Sequence, residues 1–465
     1  MSFLFGVAGP EGLAGTVKQG GRGLGGRVVS MTKSAKTPAA VVLGEVDLPE
    51  GQLLILDPGL GRFWRHDAEP ASPRKKDPVA HDLRITGPDA EAAGRAYDRE
   101  FDPRFLFDRT DPEQAVEHFG QFARKEGFDA RAEVLSSRVA HTERARLAVE
   151  HGKGLGVVKY NGLWAVAAEG LPRDRGLQVI GVLMPAGEFK GRWRSIDVVV
   201  DGEAEAVRSE QVAGVMVEHG QLLFSGLGPL GRFRMWESLD GLADYVFFGK
   251  DAPALAKELG ASDLGRGTFG WKDLPVEQVG EKATPLQARI EKDGLAVGVD
   301  YRPRCNLERL NAQLRESEED AGTLVLDGAR AVGCGNRWGD GIFPVSRHFD
   351  AEGRTVRIRV ELGTEDRQRL MRRFQLRQRA AIVTRAILDD GEPIRFAERM
   401  KPHSAQDSGW AFSAGVEDDA YMDEASNLVV VSLRSLLARC KELDAILDAP
   451  VGSVFRREGE GFVPE

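Results

Sequence analysis

One short pattern occurs twice in the chain and constrains its fold more than any other feature. Gly51-Gln52-Leu53-Leu54-Ile55-Leu56 runs into Gly59-Leu60-Gly61-Arg62-Phe63-Trp64. Gly220-Gln221-Leu222-Leu223-Phe224 runs into Leu230-Gly231-Arg232-Phe233-Arg234-Met235-Trp236. A weaker third version is Gly322-Thr323-Leu324-Val325-Leu326, with Trp338 after it. Each reads as an apolar strand, a glycine turn and an aromatic strand, which is hairpin chemistry. Either Gly- and Leu-rich hairpins resemble one another by chance, or the first part of the chain, up to about residue 360, contains duplicated β-rich modules.

A chain of 465 residues has room for several cores. Its 55 glycines and 22 prolines favour short strands and loops over long helices. The expected class is α+β, multidomain and rich in antiparallel strands. The pattern divides it into a Gly-rich leader at 1–40, an α+β module at 41–205, a β-rich module at 206–363, a basic helical connector at 364–379 and a small α+β domain at 380–465. Asp111-Pro112-Glu113 opens a helix, with Ala115, Phe119 and Phe122 at helical spacing. Thr364, with Glu365 and Asp366 behind it, opens another. Near the end, 381–388 and 393–396 flank Asp389-Asp390-Gly391-Glu392 as an expected hairpin. Leu428–Val431 is an apolar strand. Ser432 caps a helix to Leu447 whose stripe is Leu433, Leu436, Leu437, Cys440, Leu443 and Leu447.

The formal net charge of −9 argues against nonspecific nucleic-acid binding, which needs a basic face. It suits a basic protein partner. Three distant cysteines, Cys305, Cys334 and Cys440, fit a reduced, cytoplasmic protein. No apolar run is long enough for a membrane span, and the first residues lack the basic start of a secretory signal.

Motifs for chemistry are weak. Gly-x-Gly-x-x-Gly begins at Gly21, Gly226 and Gly265. With this much glycine about one match arises by chance, and none leads from a strand into a helix as a dinucleotide site requires. Gly152-Lys153-Gly154-Leu155-Gly156 lacks the Gly-Lys-Ser/Thr ending of a phosphate loop. No histidine falls in a hydrolase or metalloprotease motif. The dense glycine segment 333–345 contains a Gly-Asp-Gly turn. The bland reading is an Asp bonding its own turn. The functional one is a ligand site of Asp340, His348 and Asp350, with Cys334 as a metal ligand, but typical zinc ligands are too few and no metal or cofactor is expected. The arginines at 367, 369, 372, 373, 377 and 379 could touch phosphate or simply solvate a helix face.

The last residues differ. Residues 401–465 carry 12 Asp/Glu against 6 Lys/Arg, so this short stretch holds most of the net charge. Trp410, Phe412 and Tyr421 are interleaved with Glu417, Asp418, Asp419, Asp423 and Glu424. Aromatic anchors within a charged rim suit a protein interface. The alternative is that Trp410 and Phe412 are core and the carboxylates only solvate a loop.

These residues carry a resemblance. Asp407-Ser408-Gly409-Trp410, Glu417-Asp418-Asp419-x-Tyr421, Ser432-Leu433 and Leu447-Asp448-Ala449-Pro450-Val451-Gly452-Ser453-x-Phe455 together resemble a family of bacterial domains classed as immunity proteins of polymorphic toxin systems. The likeness runs from about Ala380 to Arg457. More loosely, Phe224 to Leu362 resembles a second uncharacterised bacterial family, through Val246-Phe247-Phe248-Gly249, Gly270-Trp271-x-Asp273-Leu274 and Trp338-Gly339-Asp340-Gly341-x-x-Pro344-Val345. The first resemblance implies a cytoplasmic protein, not an enzyme, that binds a protein toxin and neutralises it by occlusion. Its expected contacts are the eight residues from Trp410 to Glu424 named above. The competing classes are a ligand-binding enzyme or sensor using Asp340, His348 and Asp350, and a scaffold in a secretion or defence apparatus. Oligomeric state and toxin identity stay open.

Overall fold

The computed structural model describes residues 39–70, 78–98 and 101–465, so all but the last two residues of the Gly-rich leader lie outside the described part. The α+β class holds, with mainly antiparallel sheets and a C-terminal strand-and-helix region. No helix among the described residues is long and apolar enough to cross a membrane.

The two repeats lie side by side. Strand Leu53–Leu56 pairs antiparallel with Gln221–Gly226, with Leu223 opposite Leu56 and Gly226 opposite Leu53. This pair forms the centre of a six-stranded sheet ordered Ala321–Leu326, Ala329–Gly335, Gln221–Gly226, Leu53–Leu56, Leu163–Ala168 and Leu155–Tyr160. A second six-stranded sheet runs Ala40–Val46, Leu177–Leu183, Trp193–Val199, Thr355–Glu361, Gly341–Phe349 and Arg208–Val217. In each sheet one side comes from residues 40–199 and the other from 208–361, in the same element order about a central pseudo-dyad. The duplication is therefore real at the level of topology. The segments 41–205 and 206–363 do not pack as separate bodies, because Ile55, Val166, Val179 and Ile196 share one core with Phe224, Val332, Val345 and Ile358.

The continuous apolar run Leu53–Leu56 has a direct cause. Leu53 and Ile55 face that core, while Leu54 and Leu56 face a second one. Helices His141–His151 and Asn306–Glu316 cover the second face with Ala145, Ala148, Leu310 and Leu314. Side chains alternate across a strand, so a central strand buried on both faces is apolar throughout.

Two details differ from expectation. Each repeat continues into a short helix, Pro58–Phe63 or Leu227–Leu230, and not into a second strand. In the first copy, Asp57 accepts the Gly59 amide at 2.7 Å and Pro58 sits at the first helical position. The third version, Ala321–Leu326, is an edge strand and no further copy.

Each half carries an insert between its short and long helix. The first is a three-stranded sheet with helices Ala90–Tyr97 and Pro112–Glu126, the latter capped by Asp111. The second is a four-stranded sheet with helices Ala252–Leu259 and Val276–Asp293. The connector helix Glu365–Arg377, capped by Thr364, leads into the C-terminal domain.

That domain is a six-stranded sheet ordered Leu428–Ser432, Ala380–Thr384, Asp407–Ser413, Phe396–Arg399, Val454–Glu458 and Gly461–Pro464. The expected hairpin over 381–396 does not form. Residues 385–388 turn into a short helix, and Ala380–Thr384 pairs instead with Asp407–Ser413 and Leu428–Ser432. The helix from Ser432 breaks at Cys440, which is extended, and resumes as a 3-10 turn over Lys441–Ile446. Most of its stripe is still buried, with Leu437 packed partly against the core.

Candidate functional site

The Asp407-Ser408-Gly409-Trp410 stretch is a tight turn into a core strand. Asp407 accepts the amides of His403 at 2.8 Å and Gly409 at 2.7 Å. Gly409 has φ +73°, and a Cβ there would lie 2.3 Å from the Met400 carbonyl, so a side chain is excluded twice over. Trp410 is fully buried and Phe412 is 3% exposed. The rings stack at 5.8 Å, with Phe455 6.2 Å from Trp410. Neither can anchor a partner from the surface, which corrects that part of the sequence reading: an alternating strand beside an apolar helix sends these two side chains inward.

The acidic segment is partly structural too. Glu417 accepts the Thr384 hydroxyl and the amides of Ala414 and Val416 at 2.9 and 3.0 Å. Burial opposes its ionisation, but these bonds prevail and hold its carboxyl below the usual range. Asp418 caps the short helix Asp419–Asp423 through the Tyr421 amide at 2.8 Å. Tyr421 is half-buried, and its hydroxyl accepts the Ala386 amide at 3.2 Å. Glu424 caps the following turn at Ser426. Asp419 and Asp423 stay exposed, without a hydrogen bond or ion pair among the described residues, beside exposed Met422.

This acidic helix leads into an open edge that the sequence reading did not single out. Among the described residues, Leu428–Ser432 pairs only with Ala380–Thr384. Leu433 donates its amide to the Arg379 carbonyl at 2.9 Å. By the alternation of an antiparallel ladder, Val431 and Val429 then also bond inward, and the main-chain groups of Val430 point away. The Val430 side chain is 70% exposed. The strand has no Lys, Pro or bulge to blunt it, which was the available signal.

A family model described as the immunity protein Imm33 domain matches residues 381–464. No curated protein and no solved structure matches the chain. The Imm33 match covers all of the C-terminal sheet but Ala380, with the acidic helix and the open edge inside it. The resemblance carried by the Asp-Ser-Gly-Trp series thus falls within the matched region, and an immunity role is implied for this part of the chain.

The alternative ligand site does not assemble. Asp340 and Asp350 flank the nine-residue strand Gly341–Phe349, roughly 30 Å apart at extended-strand rise. His348 Nε2 lies 3.0 Å from the Ser346 hydroxyl, and Asp350 is held by the Arg354 amide and Nε, each at 2.8 Å. Cys334 belongs to the sandwich core. Among the described residues no group of three or more His, Cys, Asp or Glu could hold a metal. The glycine turn is organised by Asn336, whose oxygen accepts the amides of Trp338 and Gly339 at 2.8 and 2.9 Å.

Two of the cavities among the described residues stand apart from both the acidic helix and strand Gly341–Phe349. One, about 530 Å³, lies where the two repeats meet and is lined by residues including Arg62, Trp64, Phe233, Arg234 and Trp236. The other, about 370 Å³, lies between the connector helix and the C-terminal domain.

Proposed function

We propose that this chain is an immunity-type protein that acts in the bacterial cytoplasm by binding a basic protein toxin and occluding it, with no chemistry of its own. The match of residues 381–464 to the Imm33 immunity domain carries this reading. The contact surface is the acidic helix with Asp419 and Asp423, together with the adjoining edge at Val430. Unpaired carboxylates speed capture of a basic partner. The unpaired main-chain groups at Val430 offer a ladder to an extended segment of it. Glu417, Asp418, Tyr421 and Glu424 set the shape of this surface, and Trp410 and Phe412 support it from within.

The test starts with the purified chain as bait for secreted proteins of its own organism, with calorimetry on each candidate toxin domain. A stoichiometric complex that suppresses the toxin's activity supports the reading; toxins that remain active when saturated with the chain refute it. On such a complex, Asp419→Lys with Asp423→Lys slows association and flattens its salt dependence. Unchanged kinetics would move the contact elsewhere.

A further inference from the structure

The cavity between the connector helix and the C-terminal domain has the composition of an anion site. Five arginines line it: Arg369, Arg372 and Arg373 from the helix, Arg379 just beyond it, and Arg399 from strand Phe396–Arg399. Two carboxylates, Glu188 and Asp448, share the lining. In a chain of net charge −9 this is a strong local reversal.

Neighbouring acids neutralise only some of these guanidinium groups. Arg373 pairs with Asp448 at 3.1 Å, and Arg369 with Asp366 at 3.3 Å. Among the described residues, Arg372, Arg379 and Arg399 have no ion pair. Arg399 is the most exacting case. Its Nε and Nη1 are buried without a hydrogen-bond partner, and its guanidinium carbon lies 5.4 Å from the Trp410 ring centre. Burial and the nearby Arg379 disfavour its charge, and Asp407 offsets only part of this. A half-buried charge without a direct ion pair is costly, and an anion bound between two such groups reduces the penalty.

The main chain holds both residues in place. The Arg399 amide donates to Ser453 at 2.8 Å and its carbonyl accepts Gly452 at 2.7 Å. The Arg379 amide donates to Leu376 at 3.0 Å and its carbonyl accepts Leu433 at 2.9 Å. The rest of the lining is the amide side chain of Gln375 and the aliphatic Leu376, Leu447 and Ala449, with no aromatic ring among the described lining residues to stack on a base. We propose that this cavity binds the diphosphate portion of a small phosphorylated molecule, held chiefly by Arg372, Arg379 and Arg399. The site bridges the connector and the Imm33-like domain, so occupancy ties the two together. It does not depend on toxin binding.

Inorganic pyrophosphate is the probe, titrated into the full chain by calorimetry and thermal unfolding, against sodium chloride and sulfate at matched ionic strength. The expected result is saturable one-to-one binding, a raised Tm, and at least a tenfold loss of affinity in Arg399→Gln and in Arg379→Gln. Arg372→Gln, at an exposed helix position, provides the same readout without disturbing a core. Arg434→Gln, outside the cavity, retains full affinity. No saturable binding, a response equal to that of sulfate, or undiminished affinity in Arg372→Gln and Arg379→Gln would overturn the assignment.

Discussion

Arg65 and His141 exchange two hydrogen bonds across 76 residues: the Arg65 amide donates to His141 Nδ1 at 2.8 Å, and the His141 amide donates to the Arg65 carbonyl at 3.1 Å. The second half repeats the exchange, with Arg234 donating to Asn306 Oδ1 at 2.7 Å and Asn306 donating to the Arg234 carbonyl at 2.9 Å. In both copies the residue that opens the long helix fastens the loop after the short one. His141→Asn should therefore preserve the fold with little loss, while His141→Ala orphans the Arg65 amide and should cost about 1–3 kcal/mol. The substitution also changes pH dependence. Burial and then Arg144 push the folded imidazole well below its ordinary pKa. Stability from this group is complete above the unfolded value, about 6.5, and is lost as pH falls below it. Urea unfolding at pH 7.5 and 5.5 should show a smaller acid loss in His141→Asn than in the natural chain.

Arg144, in the same helix, pins the first insert to the sandwich. It is fully buried and pairs with Asp82 at 2.8 Å and Asp108 at 3.0 Å, both from the insert's strands. Arg138 joins the cluster through Asp108. Arg144→Met keeps much of the volume but leaves two buried carboxylates short of their counter-charge. The expected loss is about 3–5 kcal/mol, read by chemical unfolding. Hydrogen exchange should show strand His81–Thr86 losing protection first. A change below about 1 kcal/mol would mean that the carboxylates find other partners.

The parts legible in the sequence were those decided locally. Asp111 and Thr364 cap helices because a cap and its amide lie three residues apart. Leu53–Leu56 is recognisable because burial on both faces leaves no polar position. The repeat was visible through two nearly identical strings, but not the sharing of both sheets by the two halves. The hairpin expected over 381–396 failed because Ala380–Thr384 takes partners from 407–413 and 428–432, which local turn chemistry cannot specify. Asp340 and Asp350 looked close in the sequence, yet an extended strand holds them apart. Arg399 escaped notice because its significance comes from residues of the connector helix, not from its own strand.

Trp410 and the acidic helix should separate cleanly by mutation. Trp410→Ala removes a fully buried ring between Phe412 and Phe455 and should destabilise the chain by about 3–5 kcal/mol. Asp423→Lys, on an exposed helix position, should change stability by less than about 0.5 kcal/mol. Circular dichroism melts of the two variants give the comparison. A stable Trp410→Ala chain would show that the ring is not a core residue.

His219 should titrate in the opposite sense to His141. Its Nδ1 lies 3.3 Å from Oδ2 of Asp57, a fully buried carboxylate that also accepts the amides of Gly59, Glu218 and His219. The hydrogen bond to Asp57 raises the His219 pKa, with burial opposing it. A raised folded-state value gives stability that is fully present below about pH 6.5 and disappears as pH climbs through the folded pKa. His219→Gln should therefore be more destabilising, relative to the natural chain, at pH 5.5 than at pH 8.5. NMR titration of the imidazole gives the folded pKa directly, and a value below 6.5 would refute the ion pair with Asp57.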